Sequence, residues 1–301
     1  MTNFPEVRNL LQVESSDHCV VMVHGLCANE LELKRLANDL CEGGFSVVIP
    51  QIDGYSFGTP TKPWYAWVDQ VLLQIQRLQK RFKSVSLIGL SMGAVISMVI
   101  AQRLRIPLAT LILLSPSIAY DGWSIPWYNF FLKFPSWFPF ISKYQMKESY
   151  PFGVKNEEMR RSIISSLKTN QISDAGALEL SYESIKQGYF LIQEARKNIQ
   201  LIYSPVLIIH SVDDEIVHVR NAEWLFRNIS SSSKEIIYLG DSYHMITIDN
   251  EFDIVNRHTV DFLKKSVNAY FDEPVFETQF PISTRNRRKL AKVQAELFQL
   301  V

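Results

Sequence analysis

The chain has 301 residues, 47% of them hydrophobic, which is enough for one large domain or for a core with an inserted cap. Lys+Arg and Asp+Glu both number 31, so the formal net charge is zero, and it points neither to nucleic acid nor to a strongly acidic partner. The three cysteines, Cys19, Cys27 and Cys41, form no C-x-x-C pair, which argues against a disulfide framework and against a thiolate zinc site.

No run of 18 uncharged apolar residues occurs, so no spanning helix is expected. The first residues, Met1 to Arg8, lack a basic stretch followed by an apolar one and do not read as a signal peptide. The expectation is a soluble cytoplasmic protein.

In chain order, Val20 to Val23 reads as a buried strand, and Leu31, Leu33, Leu36 and Leu40 mark a helix. Phe45 to Ile49 is a second strand. Trp64, Trp67, Val68, Val71, Leu72, Ile75, Leu78 and Phe82 step by threes and fours, the period of an amphipathic helix. Val85 to Ile88 predicts a strand, Met92 to Leu104 a helix and Leu111 to Leu114 another strand. This alternation implies a mostly parallel sheet with helices on both faces.

The rhythm breaks after Ser115. Residues 116–199 show no clear buried strand, and Trp123 to Phe140 is dense in aromatics broken by Pro126, Pro135 and Pro139. This segment reads as an inserted, aromatic-rich helical cap. The alternation resumes with a strand at Val206 to Ile209, a helix near Ala222 to Arg227, a strand at Ile236 to Leu239 and a helix near Phe252 to Leu263. The core is therefore expected over residues 1–115 and 200–268. In the extension 269–301, Arg285, Arg287, Arg288 and Lys289 lead into Leu290, Val293, Leu297 and Leu300, the pattern of a basic amphipathic helix. Such a helix could pack on its own core, dock on a partner or touch anionic lipid.

Gly89-Leu90-Ser91-Met92-Gly93 falls between a predicted strand and a predicted helix. With glycine near 7% of residues, a given serine is flanked this way about once in 200, so the motif alone is weak and its placement matters more. A strand–turn–helix elbow this tight needs small residues two before and two after the serine.

A serine hydroxyl needs a base held by a third group. The acid should follow the strand ending at Ile209, where Asp213 and Asp214 stand; Asp214 is preferred because it directly precedes Glu215-Ile216-Val217. The base should follow the strand ending at Leu239, where His244 alone fits. His210 reads as a packed strand-end histidine, and His258 falls inside the last helix. An oxyanion needs preorganised donors. The backbone N–H of Met92, at the helix start, is one. The N–H of Leu26, in His24-Gly25-Leu26 after the first strand, is the other, with His24 read as a loop-bonding residue.

With these pieces placed, the chain resembles the bacterial carboxylesterase and monoacylglycerol lipase branch of the α/β-hydrolases. The resemblance rests on His24-Gly25-Leu26, Gly89-Leu90-Ser91-Met92-Gly93, Asp214-Glu215-Ile216-Val217 and Ser242-Tyr243-His244-Met245-Ile246-Thr247-Ile248-Asp249. It implies the α/β-hydrolase fold over about residues 18–268, a triad of Ser91, Asp214 and His244, and Leu26 and Met92 as oxyanion donors. One departure is Asp53-Gly54-Tyr55, where the family commonly has Gly-His-Gly.

The aromatic cap, with Trp123, Trp127 and Tyr128 as candidate substrate contacts, favours an apolar acyl or aryl ester, since each buried methylene contributes about 0.8 kcal/mol. Some rings could instead face a membrane surface. Gly25, Gly43 and Gly44 make no G-x-G-x-x-G, so no nucleotide cofactor is expected, and no ligand cluster calls for a metal. The partner expected is a small ester, not a nucleic acid. A thioesterase or acyltransferase on the same triad, and a non-catalytic lipid-binding or scaffold protein, stay open as alternatives.

Overall fold

The structure, a computed structural model, describes residues 10–11, 16–125, 145–147, 150–170, 172–173, 176–177 and 179–270. The first half contains β1 (Leu10–Leu11), β2 (His18–Val23), α1 (Lys34–Glu42), β3 (Ser46–Val48), α2 (Trp64–Leu78), β4 (Ser84–Leu90), α3 (Met92–Arg103) and β5 (Leu111–Leu114). The middle contains β6 (Gln145–Lys147), α4 (Glu157–Asn170), β7 (Ile172–Ser173), β8 (Gly176–Ala177), β9 (Glu179–Ser181) and α5 (Tyr182–Lys197). The last part contains β10 (Val206–Ser211), α6 (Arg220–Asn228), β11 (Lys234–Leu239) and α7 (Phe252–Tyr270).

One sheet runs β1-β3-β2-β4-β5-β10-β11. All its neighbours are parallel except β1, which pairs antiparallel with β3 through Leu10↔Val48 and Leu11↔Val47. The side-chain period of two then sorts each strand's residues onto two faces. Val20, Met22, Ile88, Leu90, Ile112, Leu114, Leu207 and Ile209 pack with α1 and α7 residues such as Leu36, Leu40, Phe252 and Phe262. Val21, Val23, Val85, Leu87, Leu111, Leu113, Val206 and Ile208 pack with Trp67, Val71, Val95, Leu191 and Leu225 of α2, α3, α5 and α6. Both faces are dry, so the strands read as unbroken apolar runs rather than alternating ones.

Chain direction across the sheet explains which helix covers which face. From β2 the chain steps outward through α1 to β3, then reverses over β2 through α2 to reach β4. Right-handed crossovers in opposite directions place α1 and α2 on opposite faces. The reversal opens a crevice beyond the carboxyl ends of β2 and β4. This architecture is the α/β-hydrolase fold that the sequence resemblance implies.

The segment between β5 and β10 differs from a purely helical cap. Among the described residues it holds two short antiparallel pairs, β6 with β9 and β7 with β8, besides α4 and α5. Helix α5 is capped by Ser181, whose Oγ accepts the Ser184 N–H at 3.1 Å. It lies on the core rather than above it: Leu191, Ile192 and Ala195 join the α2–α3 cluster, and Gln102 donates to the Ala195 carbonyl at 2.7 Å. Of the aromatic stretch, Trp127, Tyr128, Phe130, Phe131, Phe134, Trp137, Phe138 and Phe140 lie outside the described residues, as do residues 271–301 of the extension 269–301, with its expected helix. No helix among the described residues is long and apolar enough to cross a membrane.

Candidate active site

Ser91 follows β4 directly and caps the N-terminus of α3, with φ 56° and ψ −118°. A non-glycine residue in this region costs about 1–3 kcal/mol and persists only where its surroundings fix it. Here they do. The Ser91 N–H donates to the Leu114 carbonyl of β5 at 2.9 Å. A Cβ on Gly89 would stand 2.4 Å from the Gly93 carbonyl oxygen, and one on Gly93 would stand 2.2 Å from that of Val23. Both flanking positions therefore exclude any side chain. Helix α3 is apolar on every side and buried from Met92 to Ile100, so the elbow sits on a rigid base.

His244 and Asp214 arrive on the loops after β11 and β10. The Ser91 hydroxyl lies 2.9 Å from His244 Nε2, and His244 Nδ1 lies 2.8 Å from Asp214 Oδ2. Asp214 Oδ1 accepts the N–H groups of Ile216 at 2.9 Å and Val217 at 2.8 Å. Burial disfavours the Asp214 carboxylate, but the His244 imidazole and these donors outweigh it and hold its pKa below the usual carboxylate range. An ionised Asp214 accepts a hydrogen bond from the Nδ1–H of His244, which leaves Nε2 as the acceptor facing the serine.

The histidine loop is clamped from several sides. The His244 N–H donates to Glu215 Oε2 at 3.1 Å, and its carbonyl accepts the Ser115 hydroxyl at 2.7 Å. Asp249 Oδ2 accepts the N–H groups of Tyr243 at 2.7 Å and Lys155 at 2.8 Å. Glu215 is buried, and its Oε1 has no partner among the described residues. Burial and the adjacent Asp214 push its carboxyl up to about 7.

His210 is fully buried. Its Nε2 lies 2.9 Å from the Val217 carbonyl and 3.4 Å from Asp214 Oδ2, and burial lowers its pKa. It buttresses the acid and does not reach the serine loop. Asp213 points instead to Lys155 Nζ at 3.3 Å. His24 bonds the Gly25 carbonyl at 2.8 Å and Ser56 Oγ at 2.9 Å, and burial depresses its pKa to about 4. His258 is buried within α7.

The two expected oxyanion donors lie at the same end of adjacent strands, since Val23 of β2 pairs with Gly89 of β4. The Met92 N–H opens α3, where no preceding turn supplies an acceptor. The loop bearing Leu26 is held by the Gly25 N–H on buried Glu32 Oε2 at 2.6 Å and by the Cys27 N–H on the Tyr55 carbonyl at 3.1 Å. Tyr55 belongs to the departing Asp53-Gly54-Tyr55 stretch, and its hydroxyl donates to the His24 carbonyl at 2.7 Å. Gly188 of α5 lies against both side chains: a Cβ there would meet Met92 Cε at 3.2 Å and Leu26 Cδ2 at 3.8 Å.

Of the candidate substrate contacts, Trp123 is described. It is 65% exposed, donates to the Asp213 carbonyl at 3.4 Å and meets the Tyr243 ring edge-on at 5.9 Å between centroids. It thus stands beside the loops that carry Asp214 and His244. Trp127 and Tyr128 lie outside the described residues. No cluster of three or more His, Cys, Asp or Glu that could hold a metal occurs among the described residues.

Sequence reasoning gave no role to Glu215, Asp249, Ser115 or Ser117. Glu215 and Asp249 lie inside the stretches that carry the resemblance, so their signal was present but unread. Ser115 and Ser117 follow β5, and Ser117 Oγ lies 3.0 Å from Ser91 Oγ. Nothing in their local sequence marks that contact.

The chain belongs to the Hydrolase_4 family, described as serine aminopeptidase, S33, whose family model matches residues 14–251. It is similar to a carboxylesterase of Bacillus subtilis (strain 168), 23% identical over 263 residues that cover 84% of this chain and 94% of that protein. It is also similar to a thermostable monoacylglycerol lipase of Bacillus sp. (strain H-257), 24% identical over 251 residues, covering 82% of this chain and 90% of that one. Among solved structures it resembles one from work on the metagenome-derived lipolytic enzymes LipS and LipT, with TM-score 0.71, 20% identity and coverage of 86% of this chain and 98% of the other.

Proposed function

We propose that this member of the family hydrolyses carboxylic esters with apolar acyl or aryl groups through an acyl-enzyme on Ser91. The observation that carries the reading is the unbroken chain Ser91 Oγ, His244, Asp214, at 2.9 and 2.8 Å, on a strained elbow. His244 Nε2 takes the serine proton as Oγ attacks the carbonyl carbon. Asp214 holds the imidazole in the needed tautomer and stabilises the imidazolium that forms. The Leu26 and Met92 N–H groups receive the oxyanion. The imidazolium then protonates the departing alcohol, and water repeats the sequence to release the acid.

The names of the relatives, a carboxylesterase and a monoacylglycerol lipase, support ester over amide. The aromatic density of residues 123–140 supports an apolar acyl or aryl group. In this reading residues 1–115 and 200–268 form the core and 116–199 the insertion that bounds the substrate, with Trp123, Trp127 and Tyr128 against it. Cys19 and Cys27 are joined in no disulfide among the described residues, which suits a reducing compartment such as the cytoplasm. Turnover of short aryl esters by wild type and Ser91→Ala is the test. Wild type should turn over and the variant should not; equal rates defeat the reading.

A further inference from the structure

We infer that Ser117 is a catalytic residue that donates a hydrogen bond to Ser91 Oγ and speeds the breakdown of the acyl-enzyme. The inference rests on the reading of Ser91 as the nucleophile. Ser117 is fully buried, and its Oγ stands 3.0 Å from Ser91 Oγ. Its backbone N–H also reaches the Ser91 carbonyl at 3.4 Å. It follows β5 two residues after Ser115, which has φ 44° and anchors the His244 carbonyl. One short turn therefore touches both the base and the nucleophile.

Proton bookkeeping fixes the direction of the bond. His244 Nδ1–H donates to the ionised Asp214, so Nε2 is an acceptor. The Ser91 proton must go to Nε2 at 2.9 Å. Ser91 has only one proton, so between the two hydroxyls Ser117 is the donor and Ser91 Oγ the acceptor.

A donor at this oxygen acts unequally on the two half-reactions. During acylation Oγ loses a proton and gains a bond to carbon. The free Ser91 hydroxyl already accepts this bond before attack, so acylation gains little from it; in the acyl-enzyme Oγ is an ester oxygen, a weak acceptor, and the bond strengthens only as that oxygen departs. During deacylation His244 Nε2 takes a proton from water, and the hydroxide adds to the acyl carbon. The carbon–Oγ bond then breaks, and the electron pair collects on Oγ until the imidazolium returns the proton. The Ser117 O–H faces the oxygen where that charge appears, as an oxyanion donor faces a carbonyl oxygen.

The experiment is stopped-flow burst kinetics on a 4-nitrophenyl ester, for which acylation is fast, with wild type, Ser117→Ala and Ser91→Ala. The Ser117→Ala variant should show kcat and KM both falling about tenfold, the loss of one moderate transition-state hydrogen bond. Its kcat/KM and burst rate should stay within about twofold of wild type. Its rate of labelling by a fluorophosphonate, which requires attack alone, should match wild type and shows that the site is folded. Unchanged kcat, or equal losses in kcat and kcat/KM, overturns the inference while Ser91→Ala stays inactive. Activity in Ser91→Ala overturns the underlying reading instead.

Discussion

Strand β4 carries a serine–histidine pair at each end. At its start Ser84 Oγ lies 2.5 Å from His18 Nδ1 across the β2–β4 ladder; just beyond its end Ser91 Oγ lies 2.9 Å from His244 Nε2. By distance alone the first pair is the tighter. Yet the far nitrogen of His18 has no partner among the described residues, whereas that of His244 meets an ionised carboxylate. Burial drives the His18 pKa down to about 4, so this ring resists accepting a proton. Ser84 sits in an ordinary strand, sealed from solvent, while Ser91 is half-buried at a helix N-terminus. On the proposed reading, a serine–histidine bond is not itself a reactive unit. The acid on the second ring nitrogen, the strained elbow and the donors at a helix start separate the two ends, and the fold supplies all three only beyond the carboxyl ends of the strands.

The largest effect should separate the pairs directly. Ser91→Ala should lose about 10⁴-fold or more in kcat. Ser84→Ala should keep kcat within about twofold and lose about 1 kcal/mol of stability, by chemical denaturation, through the hydrogen bond to His18. Comparable losses of activity in both variants would mean that the two ends are not different in kind.

Next in size, Asp214→Asn removes what His18 lacks. The amide keeps the shape but no longer forces the His244 tautomer, and kcat should fall about 10³–10⁴-fold with KM little changed. A loss under tenfold would show that the ring needs no acid.

The smallest effect concerns the clamp on the histidine loop. Glu215 keeps its proton in the folded chain up to about 7, against 4.5 when free of its surroundings. The folded state thus binds the extra proton between those values, and stability falls as pH rises from 4.5 through 7. Glutamine has no such proton, yet its carbonyl can still accept the His244 N–H. Melting of Glu215→Gln from pH 4.5 to 8 should lack about 1–3 kcal/mol of the wild-type decline. Parallel stability curves would remove Glu215 as the source.

The sheet was legible because both its faces are covered: Val20 to Val23, Leu111 to Leu114 and Val206 to Ile209 read as apolar runs bounded by breaks. Strand β1 was not, because two residues at an antiparallel edge leave no period. The elbow was legible because Gly89 and Gly93 are demanded by collisions at 2.4 and 2.2 Å. Asp214 and His244 were found by which strand each follows. Ser117 and Glu215 escaped because their roles depend on where two distant loops meet, which no local spacing records. The same holds for α5: no local spacing says that Gly188 will lie on Leu26 and Met92.

The most direct test of the central claim, that the fold activates one serine at one end of β4, is fluorophosphonate labelling followed by peptide mass mapping. A single adduct on the peptide containing Ser91, abolished in Ser91→Ala and kept in Ser84→Ala, is the predicted result. An adduct on another residue, or none on the folded wild-type protein, would contradict it.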